Sequence, residues 1–242
     1  MVGVDLPLLS LVRVTKRFGG LVAVRELDCN VQSGEVVGLI GPNGAGKTTV
    51  LNIIAGEQRC DSGSVWFRGR ETTGYPPHRI CRLGIARTYQ IPQPFASLTV
   101  RQNVLVAATF GARLPPAEAE RETTRVLEIV ELAAWQEARA GGLPGDALRR
   151  LELARSLAAR PSLILLDEVG AGLTEPEIAK FLAILKRVRD AGVTILLVEH
   201  VMRVITDAVD RVIVMAQGAK IAEGTPREVM RSHSVMEAYL GQ

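Results

Sequence analysis

Residues 36–55 read VVGLIGPNGAGKTTVLNIIA, an apolar run that meets a glycine-rich turn and continues as a helix-period pattern. Val36, Val37, Leu39 and Ile40 are spaced as a buried strand, while Val50, Leu51, Ile53 and Ile54 supply an apolar helical face that stops at Gly56. Between them Gly41, Gly46, Lys47 and Thr48 fit G-x-x-x-x-G-K-[ST], the pattern of a phosphate-binding loop. The glycines leave backbone N–H groups free to wrap a polyphosphate at the positive end of the following helix. The candidate phosphate contacts are therefore the turn residues themselves, Gly41, Pro42, Asn43, Gly44, Ala45, Gly46, Lys47, Thr48 and Thr49. Lys47 is placed to neutralise the outer phosphates and the Thr48 hydroxyl to ligate magnesium.

Composition bounds the rest. A chain of 242 residues, 47% hydrophobic and 23% charged, suits one soluble α/β domain with a subdomain. Lys+Arg 29 against Asp+Glu 26 gives a net charge of +3, spread without basic blocks or aromatic-basic interleaving, so nucleic acid is not an expected partner. Cys29, Cys60 and Cys81 lack paired metal spacing and read as buried free thiols of a reducing compartment, with no disulfide. No apolar run approaches the roughly 20 residues of a membrane span.

Outward from the loop, Leu9, Leu11, Val12 and Val14, then Leu27, Cys29 and Val31, predict an N-terminal antiparallel β layer. Phe18, between them, reads either as a ring that stacks on a nucleotide base or as a core residue. GSVWFRG (63–69) is a short strand, residues 77–83 a short helix, and GIARTYQ (84–90) a strand ending at Gln90. Residues 100–135 read as helical, interrupted at Pro115 and Pro116, with Ala119, Val126, Leu127, Ile129, Val130 and Leu132 as an apolar stripe. GGLPG then breaks the pattern before LRRLELARSLAA (148–159), for which Asp146 is the expected N-cap. Two apolar strands follow, the second interrupted only by Thr194. One, residues 163–166, ends in Asp167 and Glu168, and the other, residues 193–198, ends in Glu199 and His200. The carboxyl ends of strands are where open α/β sheets place ligand chemistry. Pro176 opens the helix between them, with Ile178, Phe181, Leu182, Leu185 and Val188 facing the sheet, and DRVIVMAQGAKIAEG (210–224) closes the chain as a hairpin before short helices.

With the phosphate loop, LILLDE (163–168), Gln90 and His200 in this order, the chain resembles the ATP-binding subunit of ABC transporters along nearly its full length. It looks closest to those of branched-chain amino acid importers, through KRFGGLVAV, GIARTYQ, LTVRQNVLVAA, LLVEHVM, KIAEGTPREVM and VMEAYLG. The resemblance implies an α/β phosphate-loop NTPase of ABC type: a mixed sheet core with an antiparallel β layer, and a helical subdomain inserted after the Gln90 loop. It implies a single domain over residues 1–242, with 1–90 and 160–242 as a RecA-like core and 91–159 as the helical subdomain. It places Phe18 on adenine, Asp167 on the water shell of magnesium, and Glu168 on the attacking water. It sets Gln90 between magnesium and water, and His200 on the γ-phosphate. ATP and Mg2+ are the implied cofactors.

The resemblance also implies partners: transmembrane permease subunits, a second ATP-binding subunit and, indirectly, an extracytoplasmic solute-binding protein. The implied location is peripheral, on the cytoplasmic face of the cell membrane. The permease is expected in the groove between the Gln90 loop and the helical insert, including Phe95 and Leu98. One part departs from the family. Where a signature near LSGGQ is usual the chain has LPGDA (143–147), with Pro144 lacking an amide hydrogen and Asp146 bringing a carboxylate to the helix's positive end. Val169 and Thr174 also depart, at positions where proline and an acid or asparagine are common. These changes predict a heterodimer in which this chain's phosphate loop meets a partner's intact signature. The alternatives are a nucleotide-binding regulatory subunit of low turnover, a soluble ABC ATPase of DNA repair or translation, and a small-molecule kinase.

Overall fold

A computed structural model describes residues 6–240; residues 1–5 and 241–242, including Gly241 of the terminal VMEAYLG string, lie outside the described residues. The chain opens with β1 (Leu9–Phe18), β2 (Leu21–Val31), β3 (Val36–Ile40), α1 (Lys47–Ile54), β4 (Ser62–Phe67), β5 (Arg70–Glu71), α2 (Pro77–Leu83) and β6 (Ile85–Arg87). Helices α3 (Val100–Val106), α4 (Pro116–Ile129) and α5 (Gly145–Ala158) follow, then β7 (Leu163–Asp167), α6 (Glu175–Asp190), β8 (Thr194–Val198) and α7 (Met202–Ala208). The hairpin β9 (Arg211–Ala216) and β10 (Ala219–Gly224) leads to α8 (Pro226–Val229) and α9 (His233–Leu240).

Two sheets form. The first is antiparallel, in the order β2-β1-β4-β5, and the second runs β10-β9-β3-β8-β7-β6. In the second, β6, β7, β8, β3 and β9 are parallel neighbours and only β10 is antiparallel. Alternate side chains of each central strand enter different cores, which is why these strands read as unbroken apolar runs. Val36 and Ile40 of β3, with Ile164 and Leu166 of β7, pack against the helical side. Val37 and Leu39, with Leu163 and Leu165, pack against α1 and the antiparallel layer. Each fully buried aliphatic side chain contributes about 1.5–3 kcal/mol, so neither face of the parallel sheet tolerates a polar substitution.

Several sequence expectations are corrected in detail. Val12 is exposed because the pairing of β1 shifts between Leu11 and Val14, where Arg13 takes a left-handed φ of 46°. This bulge interrupts the period-2 pattern. The strand of GIARTYQ ends at Arg87, leaving Gln90 on a loop. Cys29 is buried, whereas Cys60 and Cys81 are only half-buried. Asp146 is not the N-cap of α5. Pro144 holds that position, and the Asp146 carboxylate instead pairs one turn on with Arg150 at 2.8 Å. The first amides of α5 therefore have no side-chain acceptor. Ile184 joins the buried face of α6, with Leu182 only partly covered.

Candidate functional site

Because β3, β6, β7 and β8 are parallel, their carboxyl ends open on one edge of the sheet. Leu39 and Asp167 both pair with Val198, so the start of the phosphate loop, the acids after β7 and the residues after β8 are brought level by register alone.

The loop between β3 and α1 is shaped by close approaches. A Cβ on Gly41 would stand 2.0 Å from the Met215 carbonyl oxygen, and one on Gly46 would stand 2.1 Å from that of Ala23. Gly46 also has φ 99°, in the left-handed region, as the N-cap of α1. No side chain caps this helix and its first turn carries no acid, so its amides are available to an anion. Lys47 is 6% exposed and its Nζ donates to the carbonyls of Gly41 (2.7 Å) and Pro42 (2.9 Å). Burial lowers the pKa of this ammonium, while Glu168 and Asp167 pull it back up. An open cleft of about 810 Å³ lies over the loop, lined by Phe18, Gly44, Lys47, Thr48, Glu168 and Gln217 among others. Phe18 is 45% exposed, so it is no core residue. Asn43, Gly44 and Thr48 are also exposed, Pro42 and Thr49 half-buried and Ala45 buried.

Glu168 adopts φ 49°, a conformation that costs a non-glycine residue about 1 kcal/mol. Three contacts hold it there. Its N–H donates to the Val198 carbonyl at 2.9 Å. Gln90 Nε2 donates to its Oε2 at 2.6 Å, and His200 Nε2 lies 2.9 Å from its Oε1. Sequence-predicted Gln90 and His200 therefore meet at Glu168, which lines one cleft with Lys47. Asp167 is 4% exposed beneath it. Burial raises its pKa, opposed first by the Arg87 guanidinium, whose Nη2 donates to Oδ2 at 2.9 Å.

Arg87 was not singled out by the sequence, since an arginine near the end of a strand carries no pattern. Its Nη1 also donates to Asn52 Oδ1 (2.5 Å) and Glu57 Oε2 (2.8 Å), and Tyr89 Oη donates to Glu57 Oε1 (2.7 Å). The same Arg87, Glu57 and Tyr89 line a second groove of about 250 Å³, closed by Gly111, Glu152 and Arg155. Also unforeseen is the β9–β10 turn. Gln217 reaches the main cleft, and Gly218 donates its N–H to the Ala45 carbonyl at 3.2 Å.

The donor set suits a nucleotide phosphate: free helix amides, a buried ammonium satisfied only by carbonyls, and a glycine cradle. Among the described residues no three His, Cys, Asp or Glu side chains gather as a metal cage. A divalent ion here would combine Thr48 with phosphate oxygens and water, the manner in which magnesium is commonly held.

Fold and site together define a phosphate-loop nucleotide-binding protein. Its residues 24–171 match the family described as ABC transporter, and residues 219–242 match the one described as branched-chain amino acid ATP-binding cassette transporter. The chain is 38% identical to the high-affinity branched-chain amino acid transport ATP-binding protein BraF of Pseudomonas aeruginosa, over 98% of each chain. It is 36% identical to the probable branched-chain amino acid transport ATP-binding protein LivG of Archaeoglobus fulgidus, over 94% of this chain and 93% of that one. A solved nucleotide-free ATP-binding cassette from an ABC transporter superposes with a TM-score of 0.88 at 28% identity, covering 98% of this chain and all of the other. The chain belongs to the ABC transporter family, as an ATP-binding cassette with the α/β fold expected from its sequence.

Proposed function

We propose that this chain binds and hydrolyses ATP to power an importer of branched-chain amino acids. The observation that carries the hydrolytic part is the pair of contacts made by Gln90 and His200 to the two oxygens of Glu168, across the cleft from Lys47. The terminal match and the relatives' names support the substrate class.

In this reading Phe18 stacks on adenine. The amides of residues 43–48 and the Lys47 ammonium take the phosphates, Lys47 leaving the carbonyls on which it rests. Bound magnesium supplies charge neutralisation at the phosphate oxygens, and Thr48, Gln90 and Asp167 are the residues that would hold it and its water shell. Glu168 orients and polarises the water, its carboxylate aimed by Gln90. His200 donates a hydrogen bond as charge spreads over the γ-phosphate.

The cassette sits peripherally on the cytoplasmic face of the cell membrane, and among the described residues no helix is long and apolar enough to cross a membrane. The permease occupies the groove beside Tyr89 and Arg155, with exposed Ile91, Phe95 and Phe110 close in sequence to its lining and Leu98 tied to the Phe95 carbonyl at 3.0 Å. An extracytoplasmic binding protein delivers the solute to it. A second ATP-binding subunit completes the site, and LPGDA makes a heterodimer the favoured pairing. In a homodimer, each bound nucleotide would meet the start of α5 with Asp146 in its first turn, its carboxylate paired with Arg150.

The test is turnover in the reconstituted complex, with Glu168→Gln placed in this chain or the equivalent change in its partner. This chain's variant should lose at least nine-tenths of phosphate release while retaining ATP binding. If only the partner's change abolishes turnover, the hydrolytic site is the other one.

A further inference from the structure

Glu199 is buried to 1% exposure at the end of β8, and no lysine, arginine or histidine described here forms an ion pair with it. Its carboxylate is satisfied by backbone instead. Oε1 accepts the Gly170 N–H at 2.5 Å, and Oε2 accepts those of His200 (3.1 Å) and Val201 (3.3 Å). Burial pushes the Glu199 carboxyl upward, and the three amides oppose it.

The chain provides room for this arrangement. A Cβ on Gly170 would lie 2.8 Å from Glu199 Oε1, so the carboxylate reaches this amide because the position is glycine. Gly170 stands two residues after Glu168, and Glu199 immediately precedes His200. With the His200–Glu168 contact of 2.9 Å, the path from Glu168 through Gly170, Glu199 and His200 back to Glu168 closes on itself. Only a carboxylate can serve both sides, because it presents acceptors alone. A glutamine would turn its NH2 toward one of the two sets of amides.

We propose that Glu199 is a positioning residue that braces the loop after Glu168 against the loop carrying His200, and thereby fixes the separation of those two side chains. The inference rests on the reading of Glu168 and His200 as the hydrolytic pair. It assigns the spacing of that pair to a group outside the cleft. Ala171 and Gly172, in the braced loop, are exposed, so a subunit that presses on this loop moves His200 through the same carboxylate.

The experiment compares wild type, Glu199→Gln and Gly170→Ala in the full chain. Amide hydrogen exchange is read in peptides covering 168–173 and 199–203, and ATP affinity and turnover are measured in the reconstituted complex. Loss of a hydrogen bond to a buried charge corresponds to roughly 10-fold to 100-fold. Each variant should raise exchange in those two peptides by at least about 10-fold, with other protected peptides unchanged. Turnover should fall about 10-fold or more, with ATP affinity within twofold of wild type. The double variant should be no worse than the worse single one, since both break the same contact.

Turnover within twofold of wild type in both variants, losses that multiply, or exchange rising throughout the chain would each overturn the brace. Should Glu199→Gln not fold, Gly170→Ala, which keeps the carboxylate and its other two amides and crowds only Oε1, answers the same question. Glu168→Gln runs alongside. If it retains turnover, the assignment of Glu168 fails, while the exchange pattern still decides the brace.

Discussion

Replacing Arg87 by Met removes the partner of a carboxylate that cannot easily reach water. The Arg87 and Asp167 side chains are 9% and 6% exposed, and their ion pair is 2.9 Å long. Breaking a buried pair from one side costs about 3–5 kcal/mol, because the remaining charge is stranded. That penalty has a ceiling, since Asp167 can take up a proton. Protonating a carboxyl of ordinary pKa 3.8 costs about 1.4 kcal/mol per pH unit above that value. The ceiling is thus about 4.4 kcal/mol at pH 7 and about 1.6 kcal/mol at pH 5. The sign follows from the direction of the shift. Burial already raises Asp167, and loss of Arg87 raises it further, so the folded variant binds more protons than the unfolded chain. The variant's deficit therefore grows as pH rises above 3.8 toward the raised folded value, and shrinks as pH falls. Urea unfolding at pH 5 and pH 7 should show Arg87→Met destabilised by about 3 kcal/mol at pH 7 and by about half that at pH 5. Adding Asp167→Asn should recover most of the pH 7 loss. A deficit that is flat with pH, or one that Asp167→Asn deepens, would refute the claim that a stranded charge is its cause.

The glycine cradle predicts a contrast between neighbours. Gly46→Ala drives a Cβ to 2.1 Å from the Ala23 carbonyl at φ 99°, whereas Gly44→Ala meets nothing within 4 Å at φ 76°. Thermal unfolding should therefore show Gly44→Ala losing only about 1 kcal/mol from backbone strain and Gly46→Ala considerably more, together with ATP binding; equal losses would show that close approach is not what requires Gly46. For the thiols, Cys29 is buried and its pKa is pushed up to about 12 by burial, while Cys60 and Cys81 are half-buried and raised less. A thiolate-selective reagent at pH 8 should label two cysteines in the native chain and the third only after denaturation; mass spectrometry finding modified Cys29 in native protein would contradict this packing.

The sequence was most legible where one physical cause dominates. Residues 163–166 and 195–198 are apolar at every position because both faces of the parallel sheet are covered, and their polar successors must then lie at the open edge. That logic places Asp167, Glu168 and His200 near one another without a structure. It cannot place Gln90, which entered through family resemblance alone as a residue between magnesium and water, and whose contact with Glu168 crosses 78 positions. Contacts made by single side chains over long separations left no pattern: Arg87 on Asp167 spans 80 positions. Local competition also misled. Asp146 has the chemistry of an N-cap, but Pro144, with φ −66° and ψ 160°, already sets the extended entry to α5. The carboxylate gains more from Arg150 one turn along. Likewise the bulge at Arg13 cannot be read from alternation, because it is where alternation stops.

The same long-range contacts explain why a single chain presents an incomplete site. Lys47 and Arg87 carry positive charge and Asp167, Glu168 and the Glu57 paired with Arg87 negative, so these five groups sum to minus one beneath the cleft, and Arg25 in its lining adds one positive charge. Both floor cations are already engaged, Lys47 by the carbonyls of Gly41 and Pro42 and Arg87 by Asp167, Asn52 and Glu57. A polyphosphate entering here releases Lys47 from neutral acceptors to charged ones, a favourable exchange, but gains little from Arg87 while Asp167 holds it. The remaining charge must be met by helix amides, by a divalent cation and by donors brought from outside the chain. In the pairing proposed above, the second subunit supplies those donors. On that proposal hydrolysis waits on assembly, because the donors that meet the terminal phosphate's developing charge arrive with the second subunit.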